Sequence, residues 1–251
     1  MTQASDLVEL RARTALITGA AKRIGAAVSL ALARAGVNVL IHHRRSAPEA
    51  EAVAAEARQR GVEARVLSAD LSNPESAEAL FDAAAAQGPV DFLINSASVF
   101  SEQSLAGFTA EDLQHNLDIN TLAPLTLSRR FAAQGRTGAI VNFLDTMIDD
   151  YDRRHVPYHL SKQMLFSLTR MMAVDFAPRI RVNAVAPGLI LPPDGQDLSY
   201  LESLKASNPL QRYGSPDGIC EAVLFLLKSG FVTGQVIYVD GGRHMRGNMY
   251  G

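Results

Sequence analysis

The sequence is poor in several features that mark particular classes of protein. Its 251 residues contain one cysteine, Cys220, and no tryptophan. A single thiol excludes an intramolecular disulfide and provides no metal-ligand pattern, so we expect no metal site and a reducing, cytoplasmic environment. No apolar run approaches the roughly 20 residues that a membrane-spanning helix needs. Acidic residues interrupt the N-terminal segment, which therefore does not resemble a signal peptide.

Neither positive nor negative charge predominates in the chain. The chain has 24 lysines and arginines against 26 aspartates and glutamates, which gives a net charge of −2. This balance provides no dominant basic surface, so we expect neither nucleic acid nor a membrane as partner. What the chain does have is 47% hydrophobic residues over a length that can form one large core. No linker, repeat or low-complexity tract divides it, and we interpret residues 1–251 as a single domain.

Short apolar runs alternate with longer helical stretches along the chain. β-Branched residues mark predicted strands at 14–18, 37–42, 64–69, 90–95, 139–144, 180–186 and 235–240. Helical periodicity marks predicted helices at 24–35, 48–60, 74–87, 110–134, 158–177 and 215–229. Strands that are apolar on both faces suit a parallel sheet that is covered on both sides. The alternation therefore predicts a doubly wound α/β (Rossmann) domain, with a seven-stranded parallel sheet and helices on both faces.

One long irregular stretch, 187–198, follows the sixth predicted strand. Its sequence, PGLILPPDGQDL, contains prolines and glycines that break regular structure. A loop at the carboxyl end of a strand borders the ligand crevice of an open sheet. We therefore expect a lid over that crevice, and a plain surface connection is the alternative.

The segment TALITGAAKRIG leads directly from the first predicted strand into the first predicted helix. Gly19 and Gly25 bracket the turn, and two alanines after Gly19 allow backbone amides to approach a pyrophosphate at the helix N-terminus. We predict a dinucleotide site here, with Gly19, Lys22, Arg23 and Ile24 beside the cofactor. An ordinary tight turn between a strand and a helix is the alternative.

The end of the second predicted strand indicates which dinucleotide binds. An NAD site usually carries an acid at this position, which accepts a hydrogen bond from the ribose 2′-hydroxyl. Arg44, Arg45 and Ser46 stand here instead. Guanidinium and hydroxyl groups suit a 2′-phosphate. We therefore predict NADPH as the cofactor, with a solvated arginine loop as the alternative.

Two further strand ends complete the predicted cofactor site. Asp70, in ADL at 69–71, stands where a carboxylate can hydrogen-bond adenine, and Leu71 follows it. NSAS at 95–98 places Asn95, Ala97 and Ser98 in a small polar turn beside the nicotinamide half. Each segment taken alone also fits helix or turn capping.

A carboxyl, a phenol and an amine come together in the predicted chemistry site. Tyr158 and Lys162 lie four residues apart on one face of a predicted helix, and Asp145 follows the fifth predicted strand. A free tyrosine has a pKa of about 10. A neighbouring ammonium is expected to lower that pKa, so that the phenol exchanges protons near neutral pH. The alternative is that Asp145 caps the next segment or pairs with Arg153.

These motifs together resemble the short-chain dehydrogenase/reductases over nearly the whole chain. The resemblance rests on TGAAKRIG, ADL, NSAS, DINTLAP, YHLSK, VNAVAPG and VTGQVIYVDGG. In that family a serine usually stands thirteen residues before the tyrosine, and the first loop has a middle glycine. Asp145 and Arg23 replace them here. With the HHRRS strand end, these replacements resemble the pteridine reductase branch. The C-terminal FVTGQVIYVDGGRHMRG and the absence of long insertions are most similar to its bacterial dihydromonapterin and dihydrofolate reductases.

The resemblance implies a role for each of the site residues. The catalytic group is formed by Asp145, Tyr158, Lys162 and Asn120, with Asn120 supporting Lys162 through water and backbone. Phe100 stacks a pterin ring against the nicotinamide, and the remaining substrate contacts are Arg23, Ser98, Asp145, Tyr158 and Leu189. Lys162 also holds the cofactor ribose, and Pro187 and Gly188 flank the nicotinamide amide.

The expected activity is an NADPH-dependent reduction of dihydropterins, with dihydrofolate as a further candidate substrate. One alternative is a family member that reduces a ketone, such as an acyl thioester or a sugar. Another is a nucleotide-binding sensor without catalysis, which the presence of Tyr158 and Lys162 disfavours.

The resemblance also implies a homotetramer assembled through the helices at 110–134 and 158–177. In such an assembly Arg243 or Arg246 reaches a neighbour's substrate pocket. We interpret His155 and His159 as surface or loop histidines, because the tyrosine already supplies the proton.

Overall fold

The computed structural model describes residues 7–248, without the side chains of 246–248. Seven parallel strands form one sheet in the order β3-β2-β1-β4-β5-β6-β7. They are β1 (Thr14–Ile17), β2 (Asn38–His43), β3 (Ala64–Ser68), β4 (Phe92–Asn95), β5 (Gly138–Phe143), β6 (Ile180–Pro187) and β7 (Val236–Val239). Every predicted strand is present, and the doubly wound seven-stranded α/β fold is confirmed.

Helices connect the strands and cover both faces of the sheet. They are α1 (Arg23–Arg34), α2 (Ala47–Gln59), α3 (Pro74–Ala85), α4 (Ala110–Leu117), α5 (Ala123–Ala133), α6 (Val156–Asp175), α7 (Leu198–Leu204) and α8 (Pro216–Lys228). Short 3₁₀ turns cover Lys205–Ser207 and Arg243–Asn248. The predicted helix at 110–134 is divided by a π-helical turn at Asp118–Leu122. Helix α7 was not predicted, because the segment around it shows no clear apolar period.

Alternate residues of each central strand enter cores on opposite sides of the sheet. Ile17 and Ile41 pack on the side of α1, α2 and α8. Leu16 and Leu40, their neighbours in sequence, pack with residues of α3 and α5 on the other side. All four side chains are buried, which explains why the strand sequences are apolar on both faces.

The strand order reverses between β1 and β4, and the two carboxyl ends form the crevice where such sheets bind ligands. The backbones approach each other closely there. A Cβ atom on Gly19, whose φ is +63°, would lie 2.8 Å from Ala97 Cα. A Cβ on Gly25 would lie 2.2 Å from the Gly19 carbonyl oxygen. Both glycines are therefore needed for the shape of this turn.

The described part of the chain contains neither a membrane-spanning helix nor a cluster of metal ligands. Among residues 7–248, no helix is both long and apolar enough to cross a membrane. The same residues contain no group of three or more histidine, cysteine, aspartate or glutamate side chains that is placed to hold a metal ion.

Candidate active site

The loop between β1 and α1 leaves backbone donors available at the start of the helix. Thr18 Oγ1 accepts hydrogen bonds of 3.0 Å from the backbone N–H groups of Ser96 and Ala97 and so joins this loop to the end of β4. Lys22, at the N-cap of α1, makes no side-chain capping bond, and no acid stands in the first turn. The helix N-terminus therefore keeps unpaired N–H groups and a partial positive charge, which fit a pyrophosphate.

A buried histidine that was not predicted supports this loop from below. His42 Nδ1 accepts a 3.1 Å hydrogen bond from the Gly19 N–H, and Nε2 lies 3.2 Å from the Ala69 carbonyl oxygen. Nε2 therefore carries the proton. Burial, only partly opposed by the bond to Ala69, lowers the pKa of His42 to about 4, so the ring is neutral. The one signal in the sequence is a histidine inside an otherwise apolar strand.

The basic residues after β2 are free to receive a phosphate. Arg44 and Arg45 are exposed and form no hydrogen bond or ion pair within the described part of the chain. Ser46 is half-buried at the N-cap of α2, and its side chain makes no capping bond. Lys22 forms a 2.8 Å ion pair with Glu49, so it lies at the same end of the sheet. Together these groups fit the 2′-phosphate of NADPH.

Three predicted cofactor contacts have partners inside the protein. Asp70 Oδ1 accepts hydrogen bonds from the backbone N–H and the hydroxyl of Ser72, which hold the pKa of this carboxyl below its ordinary value. Leu71 is buried in the core. Asn95 is also buried, and its Nδ2 donates to Asn142 at 2.8 Å. The side chains of Leu71 and Asn95 therefore point into the packed interior, and contact of these residues with the cofactor stays a prediction.

Asp145, Tyr158 and Lys162 meet at the carboxyl end of β5. The Tyr158 hydroxyl donates a 2.9 Å hydrogen bond to Asp145 Oδ2. Asp145 Oδ1 accepts a 2.8 Å bond from the Met147 N–H, which fixes the second carboxyl oxygen. Lys162 Nζ donates a 2.7 Å bond to the Phe143 carbonyl and lies 5.6 Å from the centre of the Tyr158 ring.

The electrostatics of the phenol differ from the expectation. Burial, the charge of Asp145 and the hydrogen bond to it raise the pKa of Tyr158 well above its ordinary value. The expected lowering by Lys162 does not occur in the ligand-free protein, because the nearest charge to the phenol is a carboxylate. Burial lowers the pKa of Lys162 to about 8, against the opposing effect of Asp145.

Asn120 lies in the π-helical turn and joins two parts of the site. Its Nδ2 donates to Ser161 Oγ at 2.9 Å and to the Val99 carbonyl at 3.0 Å, and its Oδ1 accepts from the Val99 N–H and from Ser98 Oγ. No direct bond joins it to Lys162 among the described contacts. Asn120 thus connects the 98–99 turn to α6, one residue before Lys162, and such π turns frequently occur at functional sites.

Phe100 lies beside Tyr158, on the surface. Its ring is exposed, lies edge-to-face with Tyr158 at 4.7 Å and stacks on His155 at 4.1 Å. His155 Nδ1 is held by a 2.8 Å bond to Asp152. The interpretation as surface or loop histidines is confirmed for His155, which is partly exposed in the loop before α6, and is wrong for His159, which is buried within α6.

Arg23, at the start of α1, joins the β1–α1 loop to the loop that follows β6. The guanidinium donates to the Pro192 carbonyl at 2.7 Å and forms a 3.0 Å ion pair with Asp194. The backbone of Arg23 has a φ of +55°, in a region that non-glycine residues rarely occupy. Ile24, the next residue, packs half-buried against the core. Residues 188–197 thus form a loop that contacts the start of α1.

The residues at the end of β6 form the start of this loop. Pro187, Gly188 and Leu189 are half-buried, and the Leu189 carbonyl accepts a 2.9 Å bond from Gly214. A Cβ on Gly188 would lie 2.6 Å from Asp240 Cβ. This close approach brings the C-terminal segment against the end of β6.

Of the two arginines expected near a neighbouring subunit, Arg243 donates a hydrogen bond to Ser207 within its own chain. The side chain of Arg246 lies outside the described part of the structure.

Comparison with known proteins gives consistent matches over almost the whole chain. Residues 19–244 match the family model described as enoyl-(acyl carrier protein) reductase. The D-erythrulose reductase of Gallus gallus is 34% identical over 247 residues, which cover 94% of this chain and 97% of that protein. The 3-oxoacyl-[acyl-carrier-protein] reductase FabG of Staphylococcus aureus (strain Mu50 / ATCC 700699) is 31% identical over 242 residues, which cover 93% and 98%.

A solved structure matches the fold closely as well. FolM alternative dihydrofolate reductase 1 from Brucella canis, complexed with NADP, superimposes with a TM-score of 0.88 at 32% identity. The match covers 95% of this chain and 96% of that chain.

Proposed function

The chain belongs to the short-chain dehydrogenase/reductase family, and from that premise we propose that it is an NADPH-dependent pteridine reductase acting on dihydropterins. The observation that carries this proposal is the 2.9 Å hydrogen bond from the Tyr158 hydroxyl to Asp145. A carboxyl occupies the place where the family usually has a serine hydroxyl, and it touches the phenol directly.

A carboxyl suits a nitrogen heterocycle better than a carbonyl. Reduction of a pterin C=N bond adds hydride to the ring carbon and a proton to the ring nitrogen. A carboxylate accepts hydrogen bonds from ring N–H and amino groups, which a ketone lacks. The Tyr158–Asp145 pair holds one proton between two oxygens and can deliver it to a ring nitrogen, directly or through water.

NADPH supplies the hydride when it is bound. Arg44, Arg45 and Ser46 receive its 2′-phosphate in this proposal, and the start of α1 receives the pyrophosphate. Lys162 holds the ribose hydroxyls from beneath the site. The FolM structure from Brucella canis contains NADP and supports this choice of cofactor.

The remaining residues orient a flat substrate. Phe100 offers an exposed ring 4.7 Å from Tyr158, and stacking on it would fix the height of a bicyclic substrate over the nicotinamide. Ser98 and Leu189 border the same space in the proposal. Arg23, at the junction of the two loops, supplies a donor for the carbonyl side of a pterin.

The test is a spectrophotometric assay of NADPH oxidation. Dihydrobiopterin, dihydromonapterin and dihydrofolate are each offered to the purified protein, beside a ketone panel that includes a 3-oxoacyl thioester and a keto sugar. We expect turnover of at least one pterin at a kcat/KM well above that of any ketone. Turnover of ketones alone would contradict the proposal.

A substitution adds a matched control to this assay. Asp145→Ser restores the residue usual in the family, and we expect it to lower pterin turnover more than residual ketone turnover. Asp175→Asn, at an exposed residue at the end of α6, serves as a control for the same loss of a carboxylate away from the site.

The alternative is a carbonyl reductase, and the names of two relatives favour it. D-erythrulose reductase and 3-oxoacyl-[acyl-carrier-protein] reductase both act by name on ketones. That alternative predicts that Asp145→Ser would retain or increase turnover of the natural substrate, which is the opposite of the pterin prediction.

A homotetramer and a cytoplasmic location complete the proposal. Helix α6 exposes Met164, Met171 and Val174 on its surface, and a second copy of the chain would cover these apolar side chains. Size-exclusion chromatography with light scattering tests the assembly, and a monomer at micromolar concentration would contradict it. The single cysteine is buried and free, as suits a reducing compartment.

A further inference from the structure

A buried carboxylate outside the predicted site gathers hydrogen bonds from two segments of the chain. Asp240 Oδ2 accepts from Thr146 Oγ1 at 2.5 Å and from the N–H and Nδ1 of His244 at 2.8 Å each. Its Oδ1 accepts from the Gly242 N–H at 2.9 Å. Burial opposes the charged form, but the bonds from Thr146 and His244 outweigh it and hold the pKa of Asp240 below its ordinary value. We call Thr146, Asp240 and His244 the Asp240 anchor.

Thr146 directly follows the catalytic carboxyl in sequence. Its hydroxyl is bound by Asp240, and its backbone N–H donates a 3.2 Å bond to the Pro187 carbonyl. The side chain is buried, so no water replaces either partner without rearrangement. Thr146 is thus fixed at both its side chain and its backbone. Within residues 7–248, the carboxyl oxygens of Asp145 form hydrogen bonds with Met147 and Tyr158 only.

The C-terminal segment also supports the loop at a second point. Tyr238 donates a hydrogen bond from its hydroxyl to Asp149, and its ring stacks on His244 at 3.9 Å. The loop that carries Asp145 is therefore bound at two points that follow the carboxyl, Thr146 and Asp149, by residues that come after β6. None of these contacts was predicted from the sequence.

We propose that Thr146 and Asp240 are positioning residues that hold the Asp145 carboxylate against the Tyr158 hydroxyl. This inference rests on the proposed assignment of Asp145 and Tyr158 as the proton-delivering pair, but it does not depend on which substrate is reduced. A bond between a hydroxyl and a charged, buried carboxylate is stronger than a neutral bond and has a defined direction. It therefore restrains the loop where a small displacement would separate the phenol from its partner.

Two substitutions at one position give the sharpest test. Thr146→Val has nearly the same shape but lacks the hydroxyl, whereas Thr146→Ser keeps it. We expect Thr146→Val to lower kcat by about 10- to 100-fold, because a displacement of about 1 Å near the chemistry has effects of this size. The KM for NADPH should change less than about twofold, since the cofactor residues are untouched. Thr146→Ser should stay within about threefold of the wild type.

A second measurement needs neither substrate nor cofactor. The chain has four lysines, so the ¹³Cε signal of Lys162 is readily assigned by NMR. The charge of Asp145 holds the pKa of Lys162 up against burial, at about 8. If Asp145 moves away in Thr146→Val, Lys162 should titrate at a lower pH than in the wild type, and Thr146→Ser should restore the original midpoint. A merely structural role for Thr146 would not move this signal.

The controls separate this inference from the proposed function. The kinetic arm uses whichever pterin or ketone the wild type reduces, so a failure with pterins leaves the test intact. If Thr146→Val does not fold, His244→Ala is measured instead; it removes one donor from Asp240, and we expect a smaller change in the same two readouts. An unchanged kcat together with an unchanged Lys162 midpoint would overturn the proposal, as would equal impairment by Thr146→Ser and Thr146→Val.

Discussion

Replacing Lys162 by methionine should make the ligand-free protein more stable while it abolishes activity. Lys162 is buried, and its ammonium has one described hydrogen-bond partner, the Phe143 carbonyl. A buried charge that lacks full hydration costs free energy. Methionine has a similar length, carries no charge and adapts to irregular space.

The magnitude follows from the pKa of Lys162. Burial lowers it from the ordinary 10.5 to about 8, and a difference of about 2.5 at 1.36 kcal/mol per pKa unit corresponds to about 3 kcal/mol. The bond to Phe143 is lost in the variant, which costs about 1 kcal/mol. The net expectation for Lys162→Met is a gain of about 2 kcal/mol in the free energy of unfolding at pH 7.

The stability difference between Lys162→Met and the wild type should decrease as the pH rises. Below pH 8 Lys162 is charged in both the folded and the unfolded state, and the folded state carries the full free-energy cost of burying the charge. Between about pH 8 and 10.5 the folded state loses the proton first, so the wild type becomes more stable relative to the variant as the pH rises. The advantage of Lys162→Met should therefore shrink across this window.

Urea unfolding followed by circular dichroism at pH 7 and pH 9.5 measures both effects without NADPH. Lys228→Met, at an exposed lysine at the end of α8, controls for the general effect of the substitution and should change stability by less than about 0.5 kcal/mol. A variant that is less stable than the wild type at pH 7, or a difference that does not depend on pH, would refute the reasoning.

Further predictions concern the cofactor site and the phenol. The double variant Arg44→Ala, Arg45→Ala should raise the KM for NADPH by about 10-fold or more and leave the KM for NADH unchanged. Arg129→Ala, at an exposed arginine on α5, is the control and should change neither KM. Equal effects on both cofactors would contradict the 2′-phosphate assignment. His42→Leu should weaken NADPH binding and lower stability by about 1–3 kcal/mol, because the Gly19 backbone N–H loses its acceptor. Fluorescence titration measures the binding and thermal unfolding measures the stability. Unchanged binding would contradict the role of His42. Tyr158→Phe should lower kcat by about 100-fold or more with NADPH affinity nearly intact; equal loss of both would indicate a structural role.

Strand positions were predictable because the sheet imposes a strong pattern on the sequence. A parallel strand covered on both faces has no polar face, so the buried residues of a strand such as Ala15–Ile17 are apolar in succession and mark its position in the sequence. Helix α7 and the π-helical turn were missed for the opposite reason. The π turn is held by tertiary contacts, such as the bonds from Asn120 to Ser161 and Val99, and such contacts leave no period in the sequence. Helix α7 buries only Leu201, so it has no apolar face that a pattern could reveal.

Spacing predicted which residues meet at the candidate active site, but it did not predict the direction in which the pKa of Tyr158 shifts. Tyr158 and Lys162 share a helix face whatever their neighbours are, so their proximity was predictable. The pKa of the phenol is raised instead by its burial and by the Asp145 oxygen 2.9 Å from the hydroxyl. A serine at position 145 would leave the ammonium as the nearest charge. A carboxyl at position 145 places a negative charge beside the phenol instead and raises its pKa, so that the phenol keeps its proton.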